Sequence, residues 1–233
     1  MKSNDELFGV KQKLRVAAEC AFLQQRHRQA YHSFLKTGLP DEVEKAIKTC
    51  LLADVSEGVV YHIIDAAWKM ALQRHEARKE VFVAASLTRA RSTLPYVKFA
   101  IKFVRGQGYR VLSEHNGADH PLKTFLEQVG NPETYNHNLF RDTDNTWIKK
   151  CGLFIADLTD PSHGVGGEWE NCRLKPELGS FLTPMLGISL ADTKVSAYVD
   201  GIREEEKSFI WFRSYRDEDD LAGILSEFLE KFG

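Results

Sequence analysis

Long apolar runs are missing from this chain. No stretch of its 233 residues approaches the roughly 20 consecutive apolar residues that a membrane-spanning helix needs. The opening MKSNDELFG lacks the apolar core of a signal peptide. Cysteine is scarce as well. Cys20, Cys50, Cys151 and Cys172 are widely spaced and form no metal-ligand pair, so reduced thiols in a cytoplasmic protein are expected, and no metal site. There is no excess of positive charge: 31 Lys and Arg against 33 Asp and Glu leave a net charge of −2, so neither nucleic acid nor a membrane is an expected partner. Internal repeats and low-complexity segments are also lacking. What remains, 43% hydrophobic and 27% charged, is the composition of a globular chain long enough for one good-sized core plus a small extra unit.

The texture of the chain changes near residue 80. Residues 1–80 read as a helical region: Val16, Cys20, Leu23, Ala30 and Phe34 recur at threes and fours once His27 fills the gap, and LPDEVEKAIKTCLL and VVYHIIDAAWKMAL follow with apolar faces of helical period. No catalytic constellation occurs there, and His27, His32, His62 and His75 read as structural or solvent-facing. Residues 81–233 read as alternating strands and helices. VFVAAS is a compact strand, LPYVKFAIKFV a helix ended by Gly106 and Gly108, and YRVLSEH a second strand. A polar loop is expected from Asn116 to about Leu139, then a short helix around Asp144 to Lys149, the strand CGLFIAD, two further strands in TPMLGISL and SFIWFR, and a closing helix, DEDDLAGILSEFLEKF. This alternation predicts an α/β fold with a mostly parallel sheet, helices on both faces, and a site at the strand C-termini. Ser86, His115 and the turn before Glu168 all fall there.

That turn, DLTDPSHGVGGEW, carries Gly164, Gly166 and Gly167, which let a backbone approach a ligand, and the helix predicted to begin after it offers unpaired N–H groups to an anion. Glu168, read as lying in the first helical turn, is either a partner of the helix dipole or a reacting group. Asp144, ahead of NTWIKK, is either a helix N-cap or a second reacting carboxylate.

Taken together, AASLTRAR, SEH, DNTWI and TDPSHGVGGE resemble the 2′-deoxynucleoside 5′-phosphate N-hydrolases, within the nucleoside 2-deoxyribosyltransferase-like superfamily. The stretch from Asp144 to Glu168 lies in register without a gap, KVSAYVDG resembles the family's Ser-Ala segment, and the resemblance spans residues 81–232. It implies a Rossmann-like or flavodoxin-like catalytic domain over 81–233, after a helical region over 1–80 of unassigned role. It also implies a (deoxy)nucleoside 5′-monophosphate substrate and no cofactor. Glu168 would attack C1′ of the sugar and displace the base, forming a glycosyl-enzyme that water then cleaves. Asp144 would orient the sugar and Glu168, or help proton transfer to the leaving base. Two acids so close are expected to have pKa values pushed apart, one ionised and one protonated.

Ser162 lies six residues before Glu168, where nucleoside deoxyribosyltransferases carry an Asp. A hydroxyl donates to phosphate where a carboxylate repels it, so Ser162 implies a monophosphate. Backbone N–H groups near Gly164, Gly166 and Ser86 would complete the anion cradle, with Arg89 or Arg91 reaching the phosphate in a geometry different from the family's. Ser196 would come from the neighbouring subunit of a homodimer, against the bland alternative of a turn serine. His115 matches a family position beside the base and equally suits a structural loop donor. Three positions depart from the family: Phe82 replaces a tyrosine, Arg89 stands one place later than the usual arginine, and Gly167 replaces the tyrosine before the glutamate. Two other functions stay open at this point: a nucleoside 2-deoxyribosyltransferase, and a nucleotide-binding sensor of the same fold.

Overall fold

A computed structural model describes residues 13, 15–20, 23, 41–52, 56–87, 92–130, 136–196 and 201–233. Arg89, Arg91, His27, His32 and the end of the first predicted helix lie outside the described residues. The chain divides into two compact units, Met1–His75 and Glu76–Gly233. In the first, residues 15–20 are helical, followed by α1 (Asp41–Leu52) and α2 (Glu57–Ala77). Val16, Leu23, Val43, Cys50, Ile64 and Trp68 bury one another in its core.

The second unit is a five-stranded, wholly parallel sheet in the order β2-β1-β3-β4-β5. Its strands are β1 (Glu80–Ala84), β2 (Arg110–Val111), β3 (Leu153–Asp157), β4 (Met185–Leu190) and β5 (Ile210–Tyr215). The helices are α3 (Leu94–Gly106), α4 (Pro121–Val129), α5 (His137–Lys150), α6 (His163–Arg173) and α7 (Glu218–Phe232). The apolar runs that mark the strands are explained by burial on both faces. Val81, Val83 and Ile155 turn to one face, against Val97 and Ala100 of α3 and Leu225 and Phe228 of α7. Phe82, Phe154 and Ala156 turn to the other, against Ile148 of α5 and Trp169 and Cys172 of α6.

Three elements differ from the sequence reading, each for a local reason. The second strand is only two residues long because a side chain takes over its ladder: Ser113 Oγ accepts from Val83 N–H at 2.8 Å and donates to Val83 C=O at 2.9 Å. The loop expected from Asn116 to Leu139 contains α4. Its apolar stripe is thin, Phe125 alone being buried, but Pro121 starts it and Gly130, at φ +65°, closes it. Finally, α5 begins at His137, capped by Asn136 Oδ1 accepting from Leu139 N–H at 2.7 Å. Asp144 therefore sits two turns inside the helix, and its reading as an N-cap is overturned.

Candidate active site

In a sheet ordered 2-1-3-4-5, the connections leaving β1 and β3 run to opposite sides and open a crevice at the strands' C-terminal ends. Ser86 follows β1 and the Pro161–Gly167 segment follows β3. Both border a cleft of about 920 Å³ that is also lined by Lys194 and Ser196. Of the sequence candidates, Ser86, Ser162, Gly164, Gly166 and Ser196 meet in this cleft. Its charged lining consists of Asp160, Glu170 and Lys194.

Ser162 caps α6: its Oγ accepts from Val165 N–H at 3.4 Å, which leaves the hydroxyl hydrogen free for another partner. The N–H groups of the first turn have no helix carbonyl four residues behind them, and the residues of that turn line the cleft. Gly164, Gly166 and Gly167 lie inside α6 rather than before it, because the helix begins at His163. A Cβ at Gly167 would meet nothing within 4 Å, so the space beside this position, where the resembled family carries a tyrosine, is open. The same helix start places Glu168 in the second turn, beyond the dipole's strongest region, so the helix-dipole reading of this residue does not hold.

Helices α5 and α6 and the turn after β2 hold a second group. Asp144 on α5 and His115 in the 3₁₀ turn Glu114–Gly117 are buried, 4% and 0% exposed, and Glu168 on α6 has its Oε2 fully enclosed. His115 Nε2 stands 3.9 Å from Asp144 Oδ1. Among the described residues, His115 Nε2, Asp144 Oδ1 and Glu168 Oε2 have no hydrogen-bond partner, which is costly for buried polar atoms. Burial pushes the Asp144 carboxyl up to about 7. Burial, and then the charge of Asp144, push Glu168 up to about 8. The sequence reading expected the two values to separate; both rise, because desolvation penalises each carboxylate and outweighs the splitting between them. Burial lowers His115 to about 4, so its imidazole is neutral, and a contact with Gln128 opposes that fall only in part.

The two acid-bearing helices are fastened together. Asn171 Nδ2 donates to Asn145 Oδ1 at 3.0 Å, next to Asp144 and one turn beyond Glu168. Trp169, 1% exposed, anchors α6 against the sheet, and an anchor of this kind is worth about 3–5 kcal/mol when cut back to alanine. Beyond the helix end, Lys175 Nζ donates to Cys151 C=O at 2.9 Å and to Thr183 Oγ1 at 2.6 Å. Phe82 lies in the core, stacked on Phe154 with ring centroids 5.6 Å apart, and does not line the cleft. Neither do the two acids or His115.

Sequence reasoning passed over several residues of this region. Lys194 lines the cleft, and its only signal was its place beside the Ser-Ala segment. Asp157, at the end of β3, is buried and accepts from the Thr93 hydroxyl and from Thr159 N–H. Gln128, in the expected loop, contacts His115. Among the described residues no group of three His, Cys, Asp or Glu side chains is placed to hold a metal ion, and no helix is long and apolar enough to cross a membrane.

No protein-family model matches the chain. It is similar to a curated putative 2′-deoxynucleoside 5′-phosphate N-hydrolase 1 from Methanococcoides burtonii, 28% identical over 123 residues, which are 52% of this chain and 89% of that protein. It is also similar to a 5-hydroxymethyl-dUMP N-hydrolase from Esox lucius, 29% identical over 121 residues, covering 52% of this chain and 75% of that protein. Among solved structures, a CMP N-glycosidase from Clostridium botulinum matches with a TM-score of 0.44 and 16% identity, over 64% of this chain and 99% of that one.

Proposed function

For a chain that is a homologue of 2′-deoxynucleoside 5′-phosphate N-hydrolases, we propose hydrolysis of the N-glycosidic bond of a (deoxy)nucleoside 5′-monophosphate, releasing free base and (deoxy)ribose 5-phosphate. The observation that carries this reading is the pair of Asp144, buried, and Glu168, half-buried with its Oε2 enclosed, on two helices fastened side by side, the helix of Glu168 starting in the lining of the cleft. Glu168, ionised, attacks C1′. The C1′–N bond breaks, its electron pair leaves with the base nitrogen, and the Asp144 proton follows it. Water then attacks C1′ of the glycosyl-enzyme, giving a proton back to Asp144 and freeing Glu168. Burial favours this chemistry, since a carboxylate poorly solvated in the empty site is stabilised by the cationic sugar of the transition state. The Ser162 hydroxyl, the first N–H groups of α6 and Ser86 hold the 5′-phosphate, with Arg89 as a further cation.

Product analysis tests the reaction. Incubation with a panel of nucleoside 5′-monophosphates is expected to release base and sugar phosphate in equal amounts. Base exchange without net hydrolysis, or binding without turnover, would overturn it. The pH dependence follows from the carboxyls. Attack needs Glu168 deprotonated and departure needs Asp144 protonated, so kcat/KM is expected to be bell-shaped with its centre between pH 7 and 8. Activity that is flat from pH 5 to 9 would exclude this pair.

The active unit is proposed as a homodimer in which the neighbour's Ser196 completes the phosphate end. Ser196 also borders the cleft of its own chain, so the two routes need separating. A Glu168→Ala chain mixed with a Ser196→Ala chain, which loses the hydroxyl without filling its own cleft, is expected to regain activity above either alone, because a hybrid pairs an intact Glu168 with an intact neighbouring Ser196. If Ser196 serves only its own chain, mixing restores nothing.

A further inference from the structure

Gln128 on α4 makes two backbone contacts: its Nε2 donates to Leu112 C=O at 3.2 Å, and its Oε1 accepts from His115 N–H at 3.3 Å. These contacts fix which way the amide faces. A carbonyl can only accept and an N–H can only donate, so the NH₂ must face Leu112 and the oxygen must face His115. That same oxygen stands 3.3 Å from His115 Nδ1. An amide oxygen has no hydrogen to give, so Nδ1 carries the imidazole proton and Nε2 keeps its lone pair. Nε2 is the atom 3.9 Å from Asp144 Oδ1, and both atoms are buried and unpartnered.

From this geometry we propose that Gln128 is a positioning residue: by fixing His115 in the Nδ1–H tautomer it presents an acceptor to Asp144 and holds that side chain in its proton-donating form. The inference rests on the reading of Asp144 as the acid. A lone pair directed at a carboxylate opposes it, whereas the same lone pair welcomes a carboxyl O–H. At 3.9 Å no hydrogen bond is made, so the carboxyl proton stays available to the leaving base while the lone pair opposes an ionised Oδ1. The surroundings act in the same sense. Glu168 faces Asp144 from α6 with like charge. Among the described residues Asp144 has no ion pair with Lys or Arg. Phe125, Phe140 and Trp147 pack round the imidazole at 5.3 to 5.8 Å between ring centroids. The opposite tautomer would set an Nδ1 lone pair against the amide oxygen, and the amide cannot turn without breaking both backbone contacts.

¹⁵N NMR of the histidine-labelled full chain reads the tautomer without any substrate, His115 being picked out from the eight histidines by its loss in His115→Asn. A proton-bearing Nδ1 and a bare Nε2 are expected, and a proton on Nε2 overturns the proposal whatever the activity. Gln128→Leu removes the constraint. Protonated Nε2 is then expected to gain population and to favour ionised Asp144. The centre of the kcat/KM bell should move to lower pH, and its maximum should fall about tenfold for each pH unit by which Asp144 becomes more acidic. A Gln128 that is only structural would lower active enzyme equally at every pH and leave the centre in place, which overturns the proposal. Full activity in Asp144→Asn would sink the underlying acid role, and is seen without touching Gln128.

Discussion

Glu168→Gln is expected to lower base release by a factor of roughly 10³ or more, because an amide cannot form the glycosyl ester. It is also expected to stabilise the fold, and the sign follows from the raised pKa. The carboxyl titrates near 8 in the folded chain against an ordinary value of 4.5, so between those values the folded protein holds a proton that the unfolded chain has lost. Stability therefore falls as pH rises through that window. Glutamine is neutral throughout and close in shape to the protonated acid. The variant should melt near the wild type at pH 4.5 to 5 and above it at pH 8, by about 1–4 kcal/mol. Calorimetry at the two pH values checks this beside the activity assay. Retention of most activity by Glu168→Ala would end the nucleophile role. A melting difference that does not grow with pH would show that Glu168 is not held protonated.

Ser162→Asp is expected to reduce the preference for monophosphates. Asp is as good an N-cap as Ser, so α6 keeps its start and its acceptor for Val165 N–H, and only the charge at the cleft changes. A carboxylate facing a phosphate replaces a donated hydrogen bond by repulsion, which raises KM for monophosphates by about 10–100-fold with little effect on free nucleosides. The wild type should strongly prefer monophosphates. Steady-state kinetics on matched nucleoside and monophosphate pairs provides the measurement. A wild-type preference for nucleosides would move the assignment to the deoxyribosyltransferase branch. Ser162→Ala separates charge from capping: it should lose phosphate preference only in part and cost about 1 kcal/mol of stability.

Much of the architecture was readable because burial on both faces leaves a plain trace. VFVAA and LFIAD are near-continuous apolar runs of strand length, and each is followed by a helical pattern, so a parallel sheet follows directly. Glu168, Asp144, Ser162 and Ser86 were legible as a set because a short, gapless register contains most of them. Elements held by few apolar contacts were not legible. α4 buries one aromatic ring, and its only strong signals were its terminal Pro and Gly. The early end of β2 depends on a serine side chain replacing backbone bonds, which no periodicity reveals.

The chain's residues by themselves determined the alternation of strand and helix and singled out the candidate reacting groups, since side-chain chemistry and hydrophobic period are local properties. Only the tertiary structure decided the ionisation of those groups. Asp144 and Glu168 are ordinary acids in an extended chain, and they rise to about 7 and 8 because helices remote in sequence pack them away from water. The tautomer of His115 was likewise decided by Gln128, 13 residues away, through two backbone contacts that exist only after α4 has folded against the sheet's edge. Desolvation and hydrogen-bond direction belong to the packed molecule, and no single residue carries them.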